Sequence, residues 1–126
     1  MTTLTDRSLT LLRGVHPDLQ KIVLQCAKTS AIDFIVTEGK RSLERQKQLK
    51  AAGASQTMRS RHLTGHAVDL AVKVGGKVRW DWPLYSTLAK DMKAAAKAVG
   101  IPLEWGGDWK TLKDGPHYQL PWKEYP

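Results

Sequence analysis

The sequence predicts an α+β fold, a short antiparallel sheet flanked by helices, built as one small domain over residues 1–126. Three observations carry that prediction. Leu19, Ile22, Val23 and Cys26 recur at i, i+3, i+4 and i+7, and Leu84, Leu88, Met92 and Ala95 form a second stripe of helical period. Residues 32–37 and 67–72 are apolar runs with β-branched members, bounded by turn residues, as strands require. Helical and strand segments do not alternate regularly, which disfavours a parallel βαβ sheet.

Each element has its own signals. Thr5 to Ser8 can cap a short helix bearing Leu9, Leu11 and Leu12, and Gly14 ends it. Pro17 suits a first helical position and opens the helix of the first stripe. Cys26 falls on that stripe, so it reads as a small core residue. The strand at 32–37 is broken by Gly39. Ser42 caps a third helix over 43–52, with Glu44 in its first turn. Residues 53–61 are polar and read as a loop. The strand at 67–72 is followed by Gly75-Gly76 with Val72, Val74 and Val78 around it, a hairpin signal. Pro83 opens the longest helix, over 84–99, which Gly100 stops. Two short strands, 103–105 and 117–120, are separated by a Gly/Asp-rich loop.

Composition narrows the function classes. A length of 126 residues leaves no room for a two-domain enzyme, and 41% apolar residues argue against disorder. A single cysteine excludes an intramolecular disulfide and a cysteine-only zinc site. Twenty Lys and Arg against twelve Asp and Glu give a net charge of +8, which calls for an anionic partner: nucleic acid, an acidic lipid surface or an anionic wall polymer. The N-terminal segment has no basic head followed by an apolar run, and no window approaches the ~20 apolar residues of a membrane span. The expectation is a protein made in the cytosol, without stable membrane insertion.

Two segments hold residues able to do chemistry. The first runs from Ser60 through His62 and Gly65 to Asp69; the second is Asp114-Gly115-Pro116-His117. Alternation along the strand puts Asp69 on the face opposite Val68 and Leu70. Gly65 permits a sharp turn that brings His62 back over Asp69. The Gly-Pro pair between Asp114 and His117 lets both aim into one cleft. Two histidines and one carboxylate form a sensible three-ligand zinc set with a fourth position for water, and a further carboxylate serves as general base. The competing reading leaves Asp69 facing water on an edge strand. His16 reads as a solvated turn residue, and His66 as exposed or as a partner behind the ligands.

The pattern Ser60-x-His62-x-x-Gly65-x-Ala67-x-Asp69 followed by Asp114-x-x-His117 resembles the zinc signature of the D-alanyl-D-alanine carboxypeptidase-like metallopeptidases. That group includes the vancomycin-resistance dipeptidases and the L-alanyl-D-glutamate peptidases used by bacteriophages as endolysins. Glu38-Gly39-Lys40-Arg41-Ser42 with Gln46 is similar to the arginine-bearing segment of the family, and Trp105-Gly106-Gly107-Asp108-Trp109 to a motif of its endolysin branch. The resemblance covers roughly residues 34–119. It implies a fold of the carboxypeptidase-like, hedgehog-like type and one Zn²⁺ per chain, held by His62, Asp69 and His117. It implies Asp114 as general base, in a position where many relatives carry glutamate. It implies Arg41 as the group that meets the scissile carbonyl. Ser60, Gln46, Trp105 and Trp109 are implied on the substrate side, Gln46 also as the group that orients Arg41. Glu104 competes with Asp114 as base but lies outside the motif.

The function expected from this resemblance is a zinc-dependent peptidoglycan endopeptidase, a phage endolysin cutting the L-alanyl-D-glutamate bond. Peptidoglycan is the partner and nucleic acid is not. The protein is expected to be a monomer without a separate wall-binding domain, held in the host cytoplasm until a holin releases it to the periplasm and wall. The net charge of +8 favours that reading over a D-alanyl-D-alanine carboxypeptidase or cytosolic dipeptidase. A basic nucleic-acid-binding module with a structural zinc is the reading from another class; it needs a fourth strong ligand that the sequence does not supply.

Overall fold

The computed structural model describes residues 2–53 and 60–126. Most of the loop expected at 53–61 lies outside these described residues. In chain order the elements are α1 (Asp6–Leu12), α2 (Pro17–Thr29), β1 (Asp33–Glu38), α3 (Leu43–Ala51), β2 (Ala67–Val74), β3 (Lys77–Arg79), α4 (Trp82–Val99), β4 (Glu104–Trp105) and β5 (His117–Gln119). Short 3-10 turns occupy Arg61–Thr64 and Gly106–Asp108. All strand pairs are antiparallel, in the order β1-β2-β5-β4, with β3 also pairing with β2. The α+β class predicted from the sequence is the class observed.

The helix starts follow from their caps. The Thr5 hydroxyl accepts from the Ser8 amide, and the Ser42 hydroxyl accepts from the Arg45 amide, each satisfying a first-turn donor. Pro17 takes its expected place in the first turn of α2. The longest helix begins earlier than predicted: Asp81 is its N-cap, and Trp82 and Pro83 form its first turn. Ser60 caps a 3-10 turn where a loop was expected, its hydroxyl accepting from the His62 amide. β2 runs two residues past its predicted end, because the Gly75-Gly76 turn returns the chain as β3 and gives Val72, Lys73 and Val74 partners.

One face of the sheet is the core. Phe34, Val36, Val68, Leu70, Val72 and Tyr118 are buried against Leu19, Ile22, Val23 and Cys26 of α2 and Leu88 and Met92 of α4. Each such side chain contributes ~1.5–3 kcal/mol on burial. An exposed ion pair such as Arg79–Asp81 or Lys93–Asp108 is worth ~0–1 kcal/mol. Apolar burial therefore outweighs surface charge in holding the sheet. The edge of β1 is tied to α1 by the Val36 amide, which donates to the buried Ser8 hydroxyl at 3.0 Å.

The opposite face carries the polar residues, and register decides which ones meet. Asp69 pairs with His117, Ala67 with Gln119, and Glu104 with Gln119. Directly paired residues share a face, so Asp69 and His117 form one row and Gln119 and Glu104 the next. A bulge in β1 between Val36 and Glu38 shifts its phase and places Glu38 opposite Asp69. Without it, Thr37 would stand there. Asp69 thus sits on a strand flanked by β1 and β5, not on the edge strand of the competing reading.

Cys26 is fully buried, and its thiol is pushed up to about 12, first by burial and then by the charge of Asp91. The thiolate is the reactive form. At pH 8 the native protein should resist an aromatic disulfide reagent over a period in which the denatured chain reacts fully. Rapid modification of the native protein would show that the packing of α2 on the sheet opens readily.

Candidate metal centre

His62, Asp69 and His117 converge from three pieces of backbone. His62 lies on the 3-10 turn capped by Ser60. That turn ends at Gly65, whose backbone is left-handed (φ 77°) and where an added Cβ would stand 2.7 Å from the Gly14 carbonyl. No other residue type fits there, and the tight reversal carries the chain from His62 into β2. Asp69 lies on β2 and His117 opens β5. Nε2 of His62 stands 3.3 Å from Asp69 Oδ1, and Nδ1 of His117 stands 3.4 Å from the same oxygen. One potential ligand atom from each residue lies within 4.8 Å of the others.

The tautomers follow from the outer partners. His62 Nδ1 lies 2.8 Å from the Gly39 carbonyl, which can only accept, so Nδ1 carries the proton. His117 Nε2 lies 2.7 Å from Gln119 Oε1. Gln119 Nε2 donates to Glu104 Oε2 at 3.0 Å, which fixes the amide with its oxygen toward His117. His117 therefore donates from Nε2. Both rings turn a lone pair toward Asp69, whose Oδ1 is buried and accepts no hydrogen bond. With both rings neutral, three acceptors converge with no proton among them, the electronic demand of a cation. Two imidazoles and one carboxylate are a donor set that zinc accepts.

Asp114 stands beside this group in a cleft of about 890 Å³. Its carboxyl is raised, first by burial and then by the charge of Asp69, while His117, His62 and Arg41 pull the other way. Its position depends on Gly106. The Asp114 amide donates to the Gly106 carbonyl, the His117 amide donates to the Asp114 carbonyl, and a Cβ on Gly106 would come within 2.4 Å of that same Asp114 oxygen. The turn between Asp114 and His117 can close only over a residue without a side chain.

Arg41 approaches from the other side of Asp69, beyond β1. Its Nε pairs with Glu38, the residue that the bulge brought into line. Its Nη1 donates to Gln46 and, at 3.4 Å, to the Ser60 hydroxyl. Its amide donates to the His62 carbonyl at 2.7 Å. Ser60 and Arg41 both line the cleft.

Two predicted substrate residues are placed differently. Gln46 is fully buried and does not line the cleft, so it meets Arg41 and not a ligand. Trp105 is a core ring: its indole donates to the Gly115 carbonyl at 2.7 Å, and its face packs near Trp82. Its β4 position directs it into the sheet's packed side, opposite Tyr118. Trp109 does line the cleft, with its ring 5.1 Å from that of His117 and its indole donating to Glu104. Glu104 also lines the cleft, and one of its oxygens accepts from both Trp109 and Gln119, which ties it to the partner of His117. His16 caps α2, accepting from the Asp18 amide, and His66 packs against it and Tyr125 away from the cleft.

Sequence reasoning missed three supports: the Gly39 carbonyl, Gln119 and Arg61. Gln119 had a signal, since it lies two residues after His117 on the same strand face. Arg61 is buried and donates to the carbonyls of Leu120 and Tyr125, with its guanidinium 4.0 Å over the Trp122 ring. It ties the turn bearing His62 to the chain beyond β5.

Comparisons with known proteins place the chain in a family. The L-alanyl-D-glutamate peptidase of Listeria phage A118 is 40% identical over 103 residues, which cover 82% of this chain and 36% of that protein. The chain thus spans about a third of that relative's length. The crystal structure of the Serratia marcescens L-Ala D-Glu endopeptidase ChiX superposes with a TM-score of 0.93 at 50% identity, covering 100% of this chain and 94% of that one. The vancomycin-resistance D,D-dipeptidase VanXYg shares the fold, with a TM-score of 0.55 at 19% identity over 84% of this chain and 50% of that one. A family model for the phage L-alanyl-D-glutamate peptidases matches residues 1–119, and the chain belongs to that family.

Proposed function

We propose that this chain is a zinc-dependent peptidoglycan endopeptidase of the endolysin kind, hydrolysing the L-alanyl-D-glutamate bond of the murein stem peptide. The observation that carries the proposal is the convergence of three acceptors from His62, Asp69 and His117 beside a carboxyl, Asp114, whose affinity for protons is raised. Likeness over the full chain to an L-Ala D-Glu endopeptidase supplies the bond. The same reading keeps the protein in the host cytoplasm, as a monomer, until a holin opens the membrane to the wall.

A zinc ion held by His62, Asp69 and His117 would polarise the scissile carbonyl and acidify the attacking water. The remaining work belongs to the chain. Asp114 accepts the proton of the attacking water, for which a carboxyl with raised proton affinity is suited, and returns it to the departing amine. Arg41, fixed by Glu38 and Gln46, offers a guanidinium donor to the carbonyl oxygen as charge develops there. One such fixed donor is worth ~10²–10³ in rate. Ser60 and Trp109 line the path of the peptide. Gly39 and Gln119 keep both histidines in the tautomer that leaves their inner nitrogens unprotonated.

Digestion of purified murein should release new N-terminal D-glutamate and C-terminal L-alanine, identified by mass analysis; new D-alanine termini instead would overturn the assignment of the bond. Asp114→Asn keeps the side chain's size and removes its basicity. That variant should keep its metal and lose ~10²-fold or more in kcat. Wild-type turnover in Asp114→Asn would exclude Asp114 as the base.

The metal assignment has its own readout. Elemental analysis should find one zinc per chain, lost in His62→Ala. Gln119→Ala should remain folded by circular dichroism yet bind zinc ~10–100-fold more weakly in competition with a chelator, because His117 loses the partner that sets its tautomer. Unchanged affinity would leave Gln119 without a part in metal binding.

Charge should act on approach to the wall more than on chemistry. Added salt shortens the Debye length from ~10 Å at 0.1 M to ~3 Å at 1 M. Lysis of permeabilised cells should therefore fall steeply with salt, while cleavage of a small neutral murein peptide changes little. Neutralising Lys47 and Lys50, both exposed on α3, should flatten the salt response of lysis alone. Equal salt sensitivity for both substrates would place the effect in the site or in stability.

A further inference from the structure

The cleft has cations that the chemistry above does not use. Arg41, Arg61, Lys110 and Lys113 all line it. Arg41 is engaged by Glu38 and Gln46, and Arg61 by two backbone carbonyls. Lys110 and Lys113 are exposed, and among the described residues neither makes an ion pair or a hydrogen bond. They flank the apex of the loop between Trp109 and Asp114, where Leu112 adopts a left-handed backbone (φ 52°) that an L-residue takes only at a cost. The loop is bent in a defined way, with both lysines among the residues that line the cleft.

The topology says which end of a bound peptide they face. In the sheet order β1-β2-β5-β4, Arg41 lies beyond β1 on one side of Asp69, and Asp114 precedes β5 on the other. Asp114 is the group that returns a proton to the departing amine, so the leaving half of the peptide lies on the Asp114 side. Lys113 is its neighbour in the chain, and Lys110 stands across the same loop. In the stem peptide the leaving residue is D-glutamate, which continues the chain through its γ-carboxyl and keeps its α-carboxylate free. That carboxylate is one carbon from the departing nitrogen. A negative group so placed, beside the Asp114 carboxylate, needs a cation within reach, and among the described residues lining the cleft the two lysines are the cations not otherwise engaged.

We propose that Lys110 and Lys113 form a carboxylate subsite that recognises the free α-carboxylate of the residue on the leaving side of the cut bond. The proposal rests on the endopeptidase reading above and adds to it a basis for selectivity. Lysines suit the task, since an ammonium on a flexible stem can follow a carboxylate without a fixed bidentate geometry. The subsite should act through binding, so its loss should raise KM more than it lowers kcat.

The test uses two matched stem peptides, one with D-glutamate and one with its α-carboxamide, D-isoglutamine. Both contain the L-alanyl bond and differ by one charge at the predicted contact. The wild-type protein loaded with zinc should prefer the acid by roughly 10-fold in kcat/KM, as expected for one or two partly exposed charge pairs. Lys110→Ala with Lys113→Ala together should bring that ratio close to one, mainly through KM for the acid. Lys113→Arg should keep most of the preference, and Lys50→Ala, away from the cleft, should keep all of it. Thermal melts check that the loop variants fold as the wild type does. If the double variant keeps the wild-type preference, or if wild type cleaves acid and amide equally well, the subsite is wrong while the endopeptidase reading stands. If wild type cuts neither peptide between L-alanine and the next residue, the endopeptidase reading itself fails.

Discussion

Everything in the cleft depends on an arrangement that would repel itself without a cation. Asp69 Oδ1 sits between two imidazole nitrogens at 3.3 and 3.4 Å, and hydrogen bonds on the far side of each neutral ring select the tautomer that leaves the facing nitrogen without a proton. A carboxylate and two lone pairs are costly to bury together. They are worth holding together only where a metal meets them. The fold meets that cost with its apolar face: the residues that bury Phe34, Leu70 and Tyr118 fix the strands whose other face presents Asp69 and His117.

The period of two along a strand makes this division possible, and one irregularity completes it. β2 alternates Val68, Asp69, Leu70 between core and cleft without interruption. β1 cannot do both jobs in phase, because Phe34 and Val36 belong to the core and Glu38 is needed beside Asp69. The bulge after Val36 resolves the conflict with one extra residue. Glu38 then holds Arg41, and Arg41 meets Gln46 and Ser60. A chain of contacts thus runs from a local backbone irregularity to Arg41 on the wall of the cleft.

Much of this was legible in the sequence, and the reasons for the remainder are physical. The stripe from Leu19 to Cys26 and the alternation at Val68–Leu70 reveal the core, since periodicity is a direct consequence of burial. His62, Asp69, Asp114 and His117 stand out through spacing and resemblance together. Gln119 and Glu104 do not, because their importance lies in cross-strand register, which a linear pattern does not display. The Gly39 carbonyl is a backbone atom and has no signature at all. Trp105 and Trp109 share one motif, yet one fills the core and the other lines the cleft: β4 ends at Trp105, and the 3-10 turn that follows changes the direction of the chain between them. Arg61 shows the converse, a basic residue in a basic chain that proves to be buried and structural.

The two walls of the cleft differ in what they are able to vary. The floor is sheet: His117, Gln119 and Glu104 are locked by paired strands and by one another, so a substitution there disturbs metal geometry before it alters preference. The wall from Trp109 to Asp114 is different. Its two ends are anchored, Trp109 to Glu104 and Asp114 to the Gly106 carbonyl, while Lys110, Thr111, Leu112 and Lys113 between them are exposed. Side chains on such a span can change without moving Asp114, His62, Asp69 or His117. Selectivity for the leaving residue is therefore most economically encoded there, and two unengaged lysines within a few residues of Asp114 are what such encoding would look like for an acidic substrate.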